Sequence, residues 1–208
     1  MRCPILCYNS PGKKRVGVMR IALKIVAVLI VGTLLGLFAT WATVVRGTMG
    51  GGVSDGPWRT SLYAGSSDGG PYLRAGVALH GLLALNRHET IYYTAATDGD
   101  GNALSGNCVY LIEGRDPPTR WWSITAYGSD DFLIANAAGR YSVSMNSAAR
   151  RAGGAFTVTL SKGQGGANWI PVGDGHFNVS LRLYNPSTAV AADPAHVALP
   201  TITRGTCE

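Results

Sequence analysis

The sequence predicts a mostly β fold: an antiparallel β-sandwich or jelly-roll-like domain with one buried helix, preceded by an N-terminal transmembrane helix. Three observations predict it. Residues 25–45, IVAVLIVGTLLGLFATWATVV, run without a single charge. In HFNVSLRLY, Phe177, Val179, Leu181 and Leu183 share one face, while His176, Asn178, Ser180, Arg182 and Tyr184 share the other, the period of a half-buried strand. Several such short runs are separated by Gly- and Asp-rich breaks, as in all-β sandwiches.

The uncharged run is long enough to cross a membrane, since a helix rises about 1.5 Å per residue and the hydrocarbon core is about 30 Å thick. Arg20 and Lys24 precede it and only Arg46 follows closely, so the positive-inside bias places the N-terminus in the cytoplasm. Trp41 fits an interfacial aromatic near the outer edge. Signal-peptide apolar regions run about 7–15 residues, so the span reads as an uncleaved anchor. Cleavage near the small residues Ala39, Ala42 and Gly47 is the alternative.

Residues 1–24 are then a basic cytoplasmic tail. Its first eighteen residues have no periodicity, and Met19-Arg20-Ile21 would open a conventional n-region, so translation starting at Met19 is an open expectation. Cys3 and Cys7 would be cytosolic thiols whose spacing matches no metal pattern. Residues 46–57, RGTMGGGVSDGP, have the composition of a flexible linker, and 58–208 form the exported domain.

Charge placement argues against nucleic acid as a partner. The chain carries a formal +6, but Arg2, Lys13, Lys14, Arg15, Arg20 and Lys24 all precede the first acidic residue. Beyond them twelve cations face twelve acids, so the exported domain is formally neutral and lacks a basic patch's electrostatic footprint. The expected partners are the membrane, through one span, and a small molecule or envelope protein.

Within the domain, Pro71 suits the first position of a helix over PYLRAGVALHGLLALNR. Its apolar Leu73, Val77, Leu79, Leu82, Leu83 and Leu85 leave little polar face, so it is expected to be largely buried. ETIYYTAA and NCVYLIE read as strands joined through Asp98-Gly99-Asp100-Gly101-Asn102 as a hairpin. Phe156, Val158 and Leu160 alternate with polar residues, as do Trp122, Ile124 and Ala126. Cys108 and Cys207 lie in the exported part, where disulfides persist. They allow one intramolecular bridge, and whether their backbones come within reach stays open.

The strands WWSITAYGSDDFLIANAAGRYSVS (Trp121 to Ser144) and NWIPVGDGHFNVSLRLYNPS (Asn168 to Ser187), with the lead-in GLLALNRHETIYYTAATDGDGNALSGNCVYLI, resemble the bacterial family named domain of unknown function 1214. The resemblance covers most of residues 58–204. It implies a β-sandwich related to viral-capsid-like jelly rolls, usually the C-terminal half of larger exported proteins, here as a stand-alone, membrane-anchored version. The chain departs from the pattern at Gly128-Ser129 and at His176. The family has no settled activity to transfer.

Chemistry-bearing motifs are few. Gly65-Ser66-Ser67-Asp68-Gly69 fits G-x-S-x-G, but Gly70-Pro71 delays the helix that a nucleophile elbow needs at once. His88-Glu89 begins a zincin motif whose second ligand position holds Tyr92. Asp98, Asp100 and Asn102 resemble a calcium loop with Val109 where the bidentate acid belongs. Convergence of His80, His88, His176 and His196 on a metal would depend on the fold. Arg140, Tyr141, Asn168, Trp169, Arg182 and Tyr184, polar or aromatic groups marking the family-like motifs, are the expected ligand-binding set. Trp121, Trp169 and Tyr127 could form a stacking platform. A binding domain without resident metal or cofactor is the leading reading. An exported hydrolase or metal-dependent enzyme using Glu89 or His176 is the alternative.

Overall fold

The computed structural model describes residues 11–46, 52–79, 84–163 and 165–208 and divides the chain into two units, Met1–Gly47 and Thr48–Glu208. His80, Leu82, Leu83, Cys3 and Cys7 lie outside the described residues.

The first unit is helix α1, Pro11–Arg46. Its stretch Gly17–Val44 is 28 residues long and has no buried residue, about 42 Å at the usual helical rise. By length and composition this helix can span a membrane.

The second unit is a two-sheet sandwich. In chain order its elements are β1 (Gly52–Asp55), β2 (Trp58–Ser61), α2 (Pro71–Leu79), β3 (Thr90–Ala95), β4 (Cys108–Gly114), β5 (Thr119–Gly128), β6 (Ser142–Ser144), β7 (Phe156–Ser161), β8 (Trp169–Pro171), β9 (Phe177–Pro186), α3 (Thr188–Ala192) and β10 (Thr201–Cys207). The larger sheet has the order β1-β2-β3-β9-β5-β6, the smaller β10-β4-β7-β8. All pairings are antiparallel except β7 with β8.

Alternation along the central strands builds the core. Phe177, Val179, Leu181 and Leu183 of β9 are buried, as are Phe156, Val158 and Leu160 of β7 and Trp122, Ile124 and Ala126 of β5. Two aromatic pairs cross between the sheets: Trp122 stacks on Phe156 at 4.6 Å, and Tyr110 meets Phe177 edge-on at 5.7 Å. Such pairs add about 0.5–1.5 kcal/mol beyond area burial. Buried polar tips find partners in the run toward β10: Trp58 Nε1 donates to the Pro200 carbonyl at 2.7 Å and the Tyr93 hydroxyl to that of Pro194 at 2.7 Å.

Three expectations are corrected. Residues 52–55 of the expected linker form β1, because β2 offers a free edge and the two pair in register over Gly52↔Ser61 to Asp55↔Trp58. The strands on either side of 98–102 are not hairpin partners: the segment turns back locally, with Thr97 and Ala103 in an antiparallel bridge, but β3 belongs to the larger sheet and β4 to the smaller. Buried Asp98 organises that crossing, its Oδ1 accepting from the backbone N–H of Asp100 and Asn102 at 3.0 and 2.9 Å, with Arg204 Nε 3.5 Å from its Oδ2. Finally, α2 is not a buried helix. Only its Leu73 and Gly76 are buried, Leu79 is 68% exposed, and residues 84–86 are not helical. The inner faces of the two sheets fill the hydrophobic core, which holds no described α2 residue.

Cys108 and Cys207 sit opposite one another at the ends of β4 and β10 and are joined by a disulfide across a sequence separation of 99. Closing so long a loop constrains the unfolded chain. Cys207→Ser is therefore expected to lower stability by about 2–4 kcal/mol in denaturant unfolding. Reductant should remove the same increment from the wild type and nothing from the variant.

Burial, aided by the charges of Asp55 and Asp193, pushes the Tyr93 phenol above its ordinary 10.0. A folded-state value above the unfolded one contributes stability that is complete below pH 10 and lost as pH rises beyond it. Tyr93→Phe, which also loses the bond to Pro194, is expected to cost about 1 kcal/mol at neutral pH. Its deficit relative to the wild type should shrink above pH 10 in urea titrations run across that range.

Candidate functional site

Because β9 lies between β3 and β5, its outward side chains share a surface with theirs. Tyr92 pairs with Arg182 and Thr94 with Ser180, while on the other side Ser123 pairs with Arg182 and Thr125 with Ser180. One strand further, Arg59 of β2 pairs with Thr94. This outer face is polar and aromatic, the reverse of the core-facing one.

Over the β1-β2-β3-β9 part of that face lies a pocket of about 660 Å³, within the range of small-molecule sites. Arg59, Tyr92, Thr94 and Arg182 contribute from the strands, and Leu62 and Arg87 from the excursion that connects β2 with β3. The Arg182 guanidinium is held from the β5 side: Nη1 donates to Thr125 Oγ1 at 3.4 Å, Nη2 donates to the Tyr127 hydroxyl, and Cζ stands 5.4 Å from the Tyr127 ring centre. Thr90, 2% exposed, and half-buried Ser61 both line the pocket, and their buried hydroxyl oxygens have no hydrogen-bond partner.

The ligand-binding set expected from the sequence divides between two places. Arg182 and Tyr184 are on the outer face of β9, with Tyr184 packed on Trp121 at 5.1 Å between ring centres. Arg140, Tyr141, Asn168 and Trp169 belong instead to the surroundings of β8. There the Arg140 guanidinium donates to the Ala167 carbonyl and stands 6.0 Å from the Trp169 ring centre. Trp169 Nε1 donates to the Ser161 carbonyl at 3.1 Å. Asn168 is buried and ties loop to strand: Oδ1 accepts from Ala149 N–H at 2.7 Å, while Nδ2 donates to the Ala149 and Thr157 carbonyls at 2.7 and 3.0 Å. Of the six, only Arg182 lines the pocket.

The catalytic candidates are similarly dispersed. Glu89 is exposed in the turn before β3. His176 is exposed just before β9, its Nδ1 3.1 Å from the Leu104 carbonyl. Ser67 sits in the turn ahead of α2, its hydroxyl 3.5 Å from Asp68 Oδ1, and His196 is beside Asp193 at 2.9 Å. Among the described residues no three His, Cys, Asp or Glu side chains come together as a metal set. Arg59, Arg87 and Thr90 were missed from the sequence. The period of TIYYTA could have placed Tyr92 and Thr94 on the outer face, whereas Arg59 and Arg87 carry no local signal.

Residues 89–188 match the family described as "Protein of unknown function (DUF1214)", and the chain carries a domain of that family. Among solved structures, the VPA0106 protein from Vibrio parahaemolyticus is similar over 85% of this chain and 44% of its own, with 22% identity and a TM-score of 0.58. A protein from Burkholderia cenocepacia matches over 81% of this chain and 39% of its own, with 14% identity and a TM-score of 0.38. The chain thus spans less than half the length of these structures. The first likeness shows the sandwich fold. No curated protein matches.

Buried Asn168 bonds the Ala149 N–H and the Ala149 and Thr157 carbonyls, so its removal takes a partner from each. Asn168→Ala is expected to cost about 2 kcal/mol in denaturant unfolding. A cost below about 0.5 kcal/mol would instead leave Asn168 available for a binding role.

Proposed function

We propose that this chain is a single-pass protein of the cytoplasmic membrane whose β-sandwich stands on the periplasmic side and binds a small molecule in the outer-face pocket. The pocket carries the reading: a preformed concavity with a few convergent polar groups among apolar walls is the default signature of a ligand site. Support for the location comes from three features. Helix α1 is long and apolar enough to span, Arg20 and Lys24 flank its N-terminal side, and the Cys108–Cys207 disulfide suits an oxidising compartment. The enzyme alternative is less favoured, since Ser67, Glu89, His176 and His196 stand in separate turns.

An alkaline phosphatase fused after residue 60 is expected to be active in bacterial cells, and a reporter that works only in the cytoplasm is expected to be silent there. The opposite pattern would overturn the location. For the binding arm, small aromatic and aliphatic probes that bind the full chain in lipid nanodiscs by ligand-observed NMR should be displaced by Ala64→Trp, which fills the pocket. Probe signals unchanged in that variant would contradict the site.

A further inference from the structure

The groups around the pocket also specify what it takes. Arg59, Arg87 and Arg182 line it, and no acidic residue does. The ion pairs of the described residues engage Arg150, Arg151, Lys162, His196 and Arg204, so the three lining arginines have no carboxylate partner among them. Arg182 is oriented by Thr125 and Tyr127, which occupy two of its five N–H donors. Arg59 and Arg182 flank β3 from either side, opposite Thr94 and Tyr92, about 12 Å apart at the backbone given the usual strand spacing and rise. Three arginines without a carboxylate partner therefore share one concavity.

The remaining walls are largely apolar, with Val53, Pro57, Leu62, Ala64, Ile91 and Pro194 among them. Guanidinium forks match carboxylates bidentately.

Resting on the binding reading above, we infer that the pocket takes a small organic acid: a carboxylate held by Arg59, Arg87 and Arg182, with an apolar body against the Leu62–Ile91 walls. No covalent step is involved.

The test uses the full chain in phosphatidylcholine nanodiscs, with 4-phenylbutyrate, 4-phenylbutanol and 4-phenylbutylamine as shape-matched probes in calorimetric titrations. The carboxylate is expected to bind saturably and at least about tenfold more tightly than the alcohol, because charge-assisted bonds are the strong ones. Arg59→Gln and Arg87→Gln should each weaken it about tenfold, Arg59→Lys less so, and added salt should weaken it further. If the alcohol binds as tightly as the carboxylate and Ala64→Trp abolishes both, the organic-acid inference fails while the pocket remains a binding site. If no probe binds, or Ala64→Trp changes nothing, the inference and the binding reading fail together.

Discussion

The placement of β9 between β3 and β5 is the constraint on which the rest of this fold depends. Its register runs from Thr90↔Tyr184 to Ala95↔Val179 on one side and from Thr119↔Pro186 to Gly128↔Phe177 on the other. Side chains alternate with a period of two, so a slip of one residue would exchange its two faces. Phe177, Val179, Leu181 and Leu183 would leave the core and Arg182 would enter it. Leucines inward and an arginine outward are therefore one decision, and it makes both the sandwich interior and the surface that carries the pocket.

Around that strand the chain passes repeatedly between sheets, and polar groups secure two of the passages. Asp98 fastens the passage from β3 to β4. Past α3, the Pro194 and Pro200 carbonyls accept from Tyr93 and Trp58, holding the segment that delivers β10 to the smaller sheet. The disulfide then locks β10 to β4. With the sandwich closed in this way, β1, β2 and the excursion before β3 are left to wall one end of the outer face. A ligand site there can vary in its loops without disturbing the core.

Periodicity made the strands legible. The alternating runs at 156–161 and 177–186 are β7 and β9 as read, and Trp122, Ile124 and Ala126 are buried in β5 as their spacing requires. Pairing was not legible, because two neighbouring strands with an Asp/Gly turn look alike whether they form a hairpin or change sheets. That ambiguity misplaced β3 and β4. The segment 71–87 misled for a related reason: apolar composition states what could be buried, while the space inside the sandwich was already filled by strand residues. Asn168 looked like a binding group because a polar side chain among strands is conspicuous, yet backbone groups of residues 149 and 157 claim it. Arg59 escaped notice because what brings it to the face of Arg182 is sheet order, a property of long-range pairing that no local pattern records, and Arg87 because it lies in the irregular excursion before β3.

On the proposed reading, this protein meets its ligand on the outer face of the larger sheet, beside β3. A crystal structure of the full chain with 4-phenylbutyrate tests it most directly. Density for the carboxylate between Arg59 and Arg182, with the phenyl group against Leu62, is the predicted result. Density confined to the Arg140–Trp169 region, with the outer-face pocket empty, would contradict it.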